Sequence, residues 1–201
     1  MRSSYKENNY GDVLLSLIIG KKPEMCVEVG VLDGYSTLHI ARGLKFNKEV
    51  SGVEGKLWSW DLWDEYEYKH GNEDEVQKLI DDEGLTDFVN LSSGDAFDVS
   101  HIIASRTVDF LHVDISNNGN ILKKVMNFWS HRLRECGIIA FEGGSEERDN
   151  IEWMVKYHKP KIREELKNNK IIKEDFGYYI MSAFPSMTIF QKKGCLNEIY
   201  R

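Results

Sequence analysis

The chain has 201 residues, with 26 Lys and Arg against 33 Asp and Glu, a formal net charge of −7 and 41% hydrophobic residues. That length suits one domain with a full sheet and covering helices, here residues 1–201 with a 1–24 extension and a 25–192 core. An acidic chain with scattered basic residues excludes a nucleic-acid backbone as main partner, and no apolar run is long enough to cross a bilayer. With no secretory segment at its start, the sequence predicts a soluble, cytoplasmic protein that does not engage membranes. Its three cysteines (Cys26, Cys136, Cys195) are odd in number and far apart, with no metal-ligand spacing. They read as buried or incidental thiols of a reducing compartment. No internal repeat or low-complexity linker is seen, and oligomeric state is not written in the sequence.

The first predicted element is an amphipathic helix carrying Val13, Leu14, Leu17 and Ile18 before Gly20 and Pro23, expected to cover the sheet edge or the mouth of a binding site. Then comes Cys26 to Leu44. A short apolar run (Cys26, Val27, Glu28, Val29) with strand character passes through Gly30 and Gly34 into a segment with Leu38, Ala41 and Leu44 at helical spacing. Glycines at such a turn accept positive φ and let a ligand approach the backbone. A strand, a glycine turn and a helix N-terminus make the nucleotide-binding corner of an open α/β sheet; the alternative is a βα turn with no ligand. A dinucleotide site wants G-x-G-x-x-G, whereas the spacing here is Gly30-x-x-x-Gly34, with Glu28 two residues earlier. A carboxylate there repels pyrophosphate and suits a ligand carrying an ammonium group.

This E-x-G-x-x-x-G-x-S pattern resembles motif I of the class I S-adenosylmethionine-dependent methyltransferases. Gly34-Tyr35-Ser36 is similar to the G-Y-S of catechol O-methyltransferase-like enzymes, in which the serine contacts the methionine carboxylate. The resemblance implies that Glu28 and Ser36 hold the methionine end of the cofactor, with Gly30, Gly34 and Tyr35 forming the turn around it.

The second strand should end in an acid for the ribose hydroxyls. Leu57 to Asp61 is rich in strand formers and continues as Asp61-Leu62-Trp63, similar to a D-x-W of enzymes acting on small hydroxylated molecules. Val50 to Glu54 is the alternative, weakened as a strand by Gly52. Asp61 is preferred and Glu54 stays open. Glu73 to Gly84 has helical spacing, and Phe88 to Ser93 reads as strand three. Gly94-Asp95-Ala96 follows, resembling the place where related enzymes bring an acid to the adenine amino group. Alone it is equally an ordinary turn.

Val108 to Asp114 is the cleanest strand, and Asp114 falls at its carboxyl end, where open α/β sheets bind ligands. It resembles the D-F-L-H-I-D strand four of these enzymes, which implies that Asp114 faces the methyl-transfer centre; His112 reads as a core histidine. Many relatives carry a histidine about three residues further on. Here the chain reads Ile115-Ser116-Asn117-Asn118, and an asparagine binds a hydroxyl without taking its proton. A helix over Ile121 to Leu133 and a Cys136-Gly137 turn introduce strand five, Gly137 to Phe141. After it, catechol-type enzymes use an Asp-Asn pair with the strand-four aspartate to hold Mg²⁺. Here Glu142 and Gly143 stand there, so the resemblance allows a metal on Asp114 and Glu142 without requiring one.

Ser145 reads as a helix N-cap with acids in the first turn, and Arg148 as partner of an anionic substrate group or of a neighbouring acid. A helix is expected over Asn150 to Tyr157 and a charged surface insertion or helix over Lys159 to Asn169. Tyr178 to Met181 and Met187 to Phe190 are expected as a closing antiparallel hairpin.

The sequence therefore predicts an α/β, Rossmann-like class I methyltransferase fold: a seven-stranded, mostly parallel sheet with an antiparallel last strand and helices on both faces. Over residues 25–192 it resembles the small-molecule O-methyltransferase group, catechol O-methyltransferase-like and methyltransferase domain family 24-like. This implies methyl transfer from S-adenosylmethionine to a hydroxyl of a small acceptor of sugar or secondary-metabolite type. Asp114 and Glu142 are the candidate catalytic residues. A cofactor-binding module without transferase activity and a nicotinamide-dependent oxidoreductase are the competing readings.

Overall fold

The computed structural model describes residues 3–68 and 70–194, and the chain divides into two compact units, Met1–Asp98 and Val99–Arg201. In the first unit, helix α1 (Tyr10–Lys21) precedes strand β1 (Met25–Val29), helix α2 (Tyr35–Ser51), strand β2 (Lys56–Asp61), helix α3 (Glu73–Asp82) and strand β3 (Val89–Ser93). The strands are parallel in the order β3-β2-β1, with Val29 opposite Trp60 and Asp61 opposite Ser93. This register makes Asp61 the end of β2. Glu54 lies outside the strand, exposed and 3.3 Å from Lys48. Four of the five β1 residues are buried, as expected of a strand covered on both faces.

Leu14 and Ile18 of α1 are fully buried, but the helix packs on α2 rather than over a sheet edge. Its close approach depends on two glycines: a Cβ at Gly43 would stand 2.7 Å from Ile18 Cγ2, and one at Gly11 would stand 2.5 Å from His39 Nε2. The Asn47 amide, inside α2, donates to the Ile18 carbonyl at 2.8 Å and ties the pair.

The second unit contains strand β4 (Val108–Val113), helix α4 (Gly119–Trp129), strand β5 (Leu133–Glu142) and four short helices: α5 (Glu146–Asp149), α6 (Glu152–Lys156), α7 (Ile162–Asn168) and α8 (Lys170–Asp175). Strands β6 (Phe176–Met181) and β7 (Met187–Lys192) complete it. The order is β4-β5-β7-β6, with β4 parallel to β5 and β7 antiparallel to both β5 and β6. These seven strands form the mostly parallel sheet with an antiparallel last strand that the sequence predicts.

Three local expectations need correction. Helix α4 ends at Trp129, and β5 already begins at Leu133. Cys136 and Gly137 therefore lie inside β5, as an irregularity where pairing shifts from Val108–Leu133 to Phe110–Ile138, with Cys136 at φ +63°. The helix expected over Asn150 to Tyr157 is the shorter α6, preceded by a separate single turn, α5, whose last residue Asp149 accepts the Ile162 and Arg163 N–H groups (2.8 and 2.9 Å). Lastly, Cys136 is disulfide-bonded rather than an incidental thiol, while Cys26 is buried and outside any disulfide; Cys195 lies outside the described residues.

Candidate active site

The β1–α2 corner is held by two carboxylates with different tasks. Gly30 (φ +91°), Leu32 (φ +52°) and Gly34 (φ +78°) all occupy the left-handed region, which is uncommon for a residue as bulky as leucine. The conformation persists because Asp61 accepts hydrogen bonds from the loop. Its Oδ2 takes the Val31 and Leu32 N–H groups (2.7 and 3.0 Å), and its Oδ1 takes the Trp63 N–H (3.2 Å). The Gly30 N–H donates to the Trp60 carbonyl, and the Gly94 N–H to the Asp61 carbonyl, both at 2.9 Å. Asp61 thus ties together the ends of all three strands of this unit.

Glu28 is fully buried, and its carboxylate accepts three hydroxyl hydrogen bonds: Ser36 Oγ at 2.6 Å, Thr37 Oγ1 at 2.6 Å and Ser59 Oγ at 2.8 Å. It bonds the first turn of α2 to the neighbouring strand. Glu28 therefore reaches a ligand only through the hydroxyls it anchors, and Ser36 presents its remaining lone pairs while its proton goes to Glu28. Thr37 and Ser59 were not singled out from the sequence; a buried acid in β1 required hydrogen-bond donors nearby, and that requirement was the available signal.

Helix α2 starts at Gly34 without a side-chain cap, leaving the amides of its first turn open at the positive end of a 17-residue helix. A side chain at Gly34 would meet Val76 Cγ1 at 2.9 Å. The loop is walled on its other side by Gly71, whose absent Cβ makes room for the Leu32 carbonyl. Beside it opens a cleft of about 380 Å³, lined by Trp63, Asp64, His70, Gly71 and Asn72 among others. Tyr35, next to the cap, has its hydroxyl pKa raised by burial and by the Asp12 charge. Its ring lies 4.7 Å from His39, whose own pKa is lowered by burial and by Arg42. After β3, Asp95 Oδ1 accepts the Phe97 and Asp98 N–H groups (2.8 and 3.3 Å) and shapes the turn holding Gly94 and the buried Ala96.

In the second unit, Asp114 follows β4 directly and is half-buried, whereas His112 is fully buried in the strand, as a core histidine. Of the two asparagines, Asn117 stitches strand ends, its Nδ2 donating to the carbonyls of Val113 and Glu142 (both 3.1 Å). Asn118 caps α4 by accepting the Asn120 and Ile121 N–H groups.

Glu142 is 6% exposed and closes a two-point ion pair with Arg148: Nε to Oε1 at 2.6 Å and Nη2 to Oε2 at 2.9 Å. Arg148 Nη2 also donates to the Asn117 carbonyl (3.2 Å), and its guanidinium lies 5.2 Å from the Trp153 ring. Of the two partners the sequence allowed for Arg148, the structure supplies the neighbouring acid. The pair forms because Ser145 caps α5 through the Arg148 N–H (3.1 Å), turning that short helix back onto the end of β5. These residues do not fit the metal that the resemblance allows. Both Glu142 oxygens are committed to Arg148, and Gly143, in the second ligand position, has no donor side chain. No group of three or more His, Cys, Asp or Glu that could hold a metal ion occurs among the described residues.

Comparison with known proteins decides the family. A model described as a methyltransferase domain matches residues 27–142, more than half of the chain. The chain belongs to this methyltransferase-domain family. Solved structures similar to this methyltransferase include the O-methyltransferase of Bacillus cereus in complex with S-adenosylhomocysteine, at 20% identity and TM-score 0.65, covering 92% of this chain and 81% of that one. Another is the O-methyltransferase TomG of Streptomyces achromogenes, involved in tomaymycin synthesis and solved with S-adenosylmethionine (14% identity, TM-score 0.65, 95% and 86% covered). A methyltransferase from Geobacter sulfurreducens is similar at 16% identity and TM-score 0.64, with 94% and 84% covered. At these identities the likeness carries the fold. No curated protein matches the methyltransferase significantly.

Proposed function

We propose that this methyltransferase uses S-adenosylmethionine to methylate a hydroxyl of a small acceptor. The observation that carries the reading is the uncapped N-terminus of α2 at Gly34, beside a loop locked open by Asp61. Open amides at a helix N-terminus suit a carboxylate, here that of the methionine moiety, while the Ser36 hydroxyl, whose proton goes to Glu28, offers lone pairs to the ammonium group. Glu28 orients Ser36 and Thr37 and keeps a negative charge behind the turn, which favours the cationic cofactor. Asp61 already accepts three N–H groups; its remaining lone pair serves the ribose, with Gly94, Asp95 and Ala96 beside the adenine. The bound cofactor supplies a methyl group activated by a sulfonium, so the chain has chiefly to align an acceptor oxygen and remove one proton. Asp114, at the end of β4, is the residue assigned to that proton or to the acceptor hydroxyl. Glu142 acts by positioning, through Arg148 and Asn117.

Sequestration of Glu142, with no histidine in the segment after β4, favours a second reading: a module that binds the cofactor without turnover. Isothermal titration with S-adenosylhomocysteine tests the first step, using wild type, Asp61→Ala and Glu54→Ala. Binding lost in the Asp61 variant and kept in the Glu54 variant is expected, and no binding to wild type would sink the reading. Turnover in an acceptor screen then separates the enzyme from the binding module.

A further inference from the structure

We infer that an ion pair internal to the chain stands where the resemblance places a divalent cation, so that the ends of β4 and β5 hold no Mg²⁺ or Mn²⁺. Three observations carry it. First, a cation seeking Glu142 must displace a guanidinium held at two points, 2.6 and 2.9 Å away. Arg148 has nowhere to retreat, since it is 6% exposed, bonded to the Asn117 carbonyl and packed on Trp153.

Second, position 143 cannot regain a ligand. Gly143 has φ +112°, and a Cβ there would stand 2.5 Å from Ile162 Cδ1, so an asparagine in its place meets both strain and a clash. Third, the two buried polar atoms of this cluster that lack a partner among the described residues are of opposite kinds: the acceptor Asn117 Oδ1 and the donor Arg148 Nη1. A cation would serve the oxygen but repel the guanidinium. Mg²⁺ is usually held by one or two carboxylates with waters in near-ideal octahedral geometry, and the ion pair withdraws Glu142 from that set.

The consequence for catalysis rests on the transferase reading: the acceptor is aligned and deprotonated without a Lewis acid, and chelators leave turnover unchanged. The test does not rest on it. Equilibrium dialysis of the full chain against Mn²⁺, with its spin resonance read on the same sample, is expected to show no saturable ion up to millimolar concentration, with or without S-adenosylhomocysteine. One Mn²⁺ bound per chain and released by Asp114→Asn would overturn the inference. Circular dichroism on the same sample certifies the fold, so a negative result reports on the site. Loss of turnover on adding a chelator, restored by Mg²⁺, would also overturn it. Absence of S-adenosylhomocysteine binding would instead strike the transferase reading and leave the dialysis result standing.

Discussion

Two buried glutamates, one in each unit, solve the same problem in opposite ways. Glu28 in β1 is enclosed by three hydroxyls, and Glu142 at the end of β5 by one guanidinium. Hydroxyl donors satisfy the carboxylate's lone pairs without bringing an opposite charge beside it. A guanidinium satisfies the lone pairs and brings the opposite charge with it. The first arrangement suits a loop that is to receive a cationic ligand. The second suits a rigid support, and it removes Glu142 from the groups available to a metal.

The largest test of this contrast is Arg148→Met. Leaving Glu142 buried without its partner should cost about 3–5 kcal/mol in urea unfolding, while Glu142→Gln combined with Arg148→Met should recover most of the loss. If the single variant is nearly neutral, Glu142 is not charged in the fold and the contrast collapses. Next in size, Glu28→Gln keeps the shape but turns one acceptor into a donor facing hydroxyl donors. A loss of about 1–3 kcal/mol is expected, with weaker S-adenosylhomocysteine binding by titration. Unchanged binding would make the Glu28 cage purely structural.

A smaller effect is expected of Gly34→Ala, where φ +78° and the nearby Val76 methyl oppose a side chain. The left-handed conformation alone costs about 1–2 kcal/mol, read as a lowered Tm, and cofactor binding should weaken as the first turn of α2 shifts. The smallest is a pH effect at His39, packed under Gly11. Burial, then Arg42, lower its pKa below 6.5, so the unfolded chain binds more protons there. Its contribution to stability is full above about 6.5 and is lost as pH falls through the lowered folded value. His39→Gln should flatten the acid limb of a plot of stability against pH, provided Asp12, Arg42 and Tyr35, the charged and titratable groups facing it, are left intact.

The corner from Cys26 to Leu44 was readable because its signals are local: an apolar run, two glycines and a helical period within twenty residues. The same holds for β4 and the closing hairpin. Where the sequence offered two strands ending in acids, Glu54 and Asp61, local propensity favoured the second and pairing of Val29 with Trp60 decided it. The start of β5 was misplaced because a glycine inside a paired strand looks the same in sequence as a glycine before it. Only the shift in pairing at Phe110–Ile138 distinguishes them.

The sequence by itself determined the order of strands and helices, the glycine corner and the family, since these rest on spacing along the chain. Tertiary structure decided what each acid does. Glu28 meets Ser59 from 31 positions away, Asp61 meets Val31 across 30, and Arg148 turns back over only six to take Glu142. Such partners depend on register and on the direction a capped helix leaves its strand. Burial then fixes the outcome, because a carboxylate removed from water must take the donors the fold brings to it.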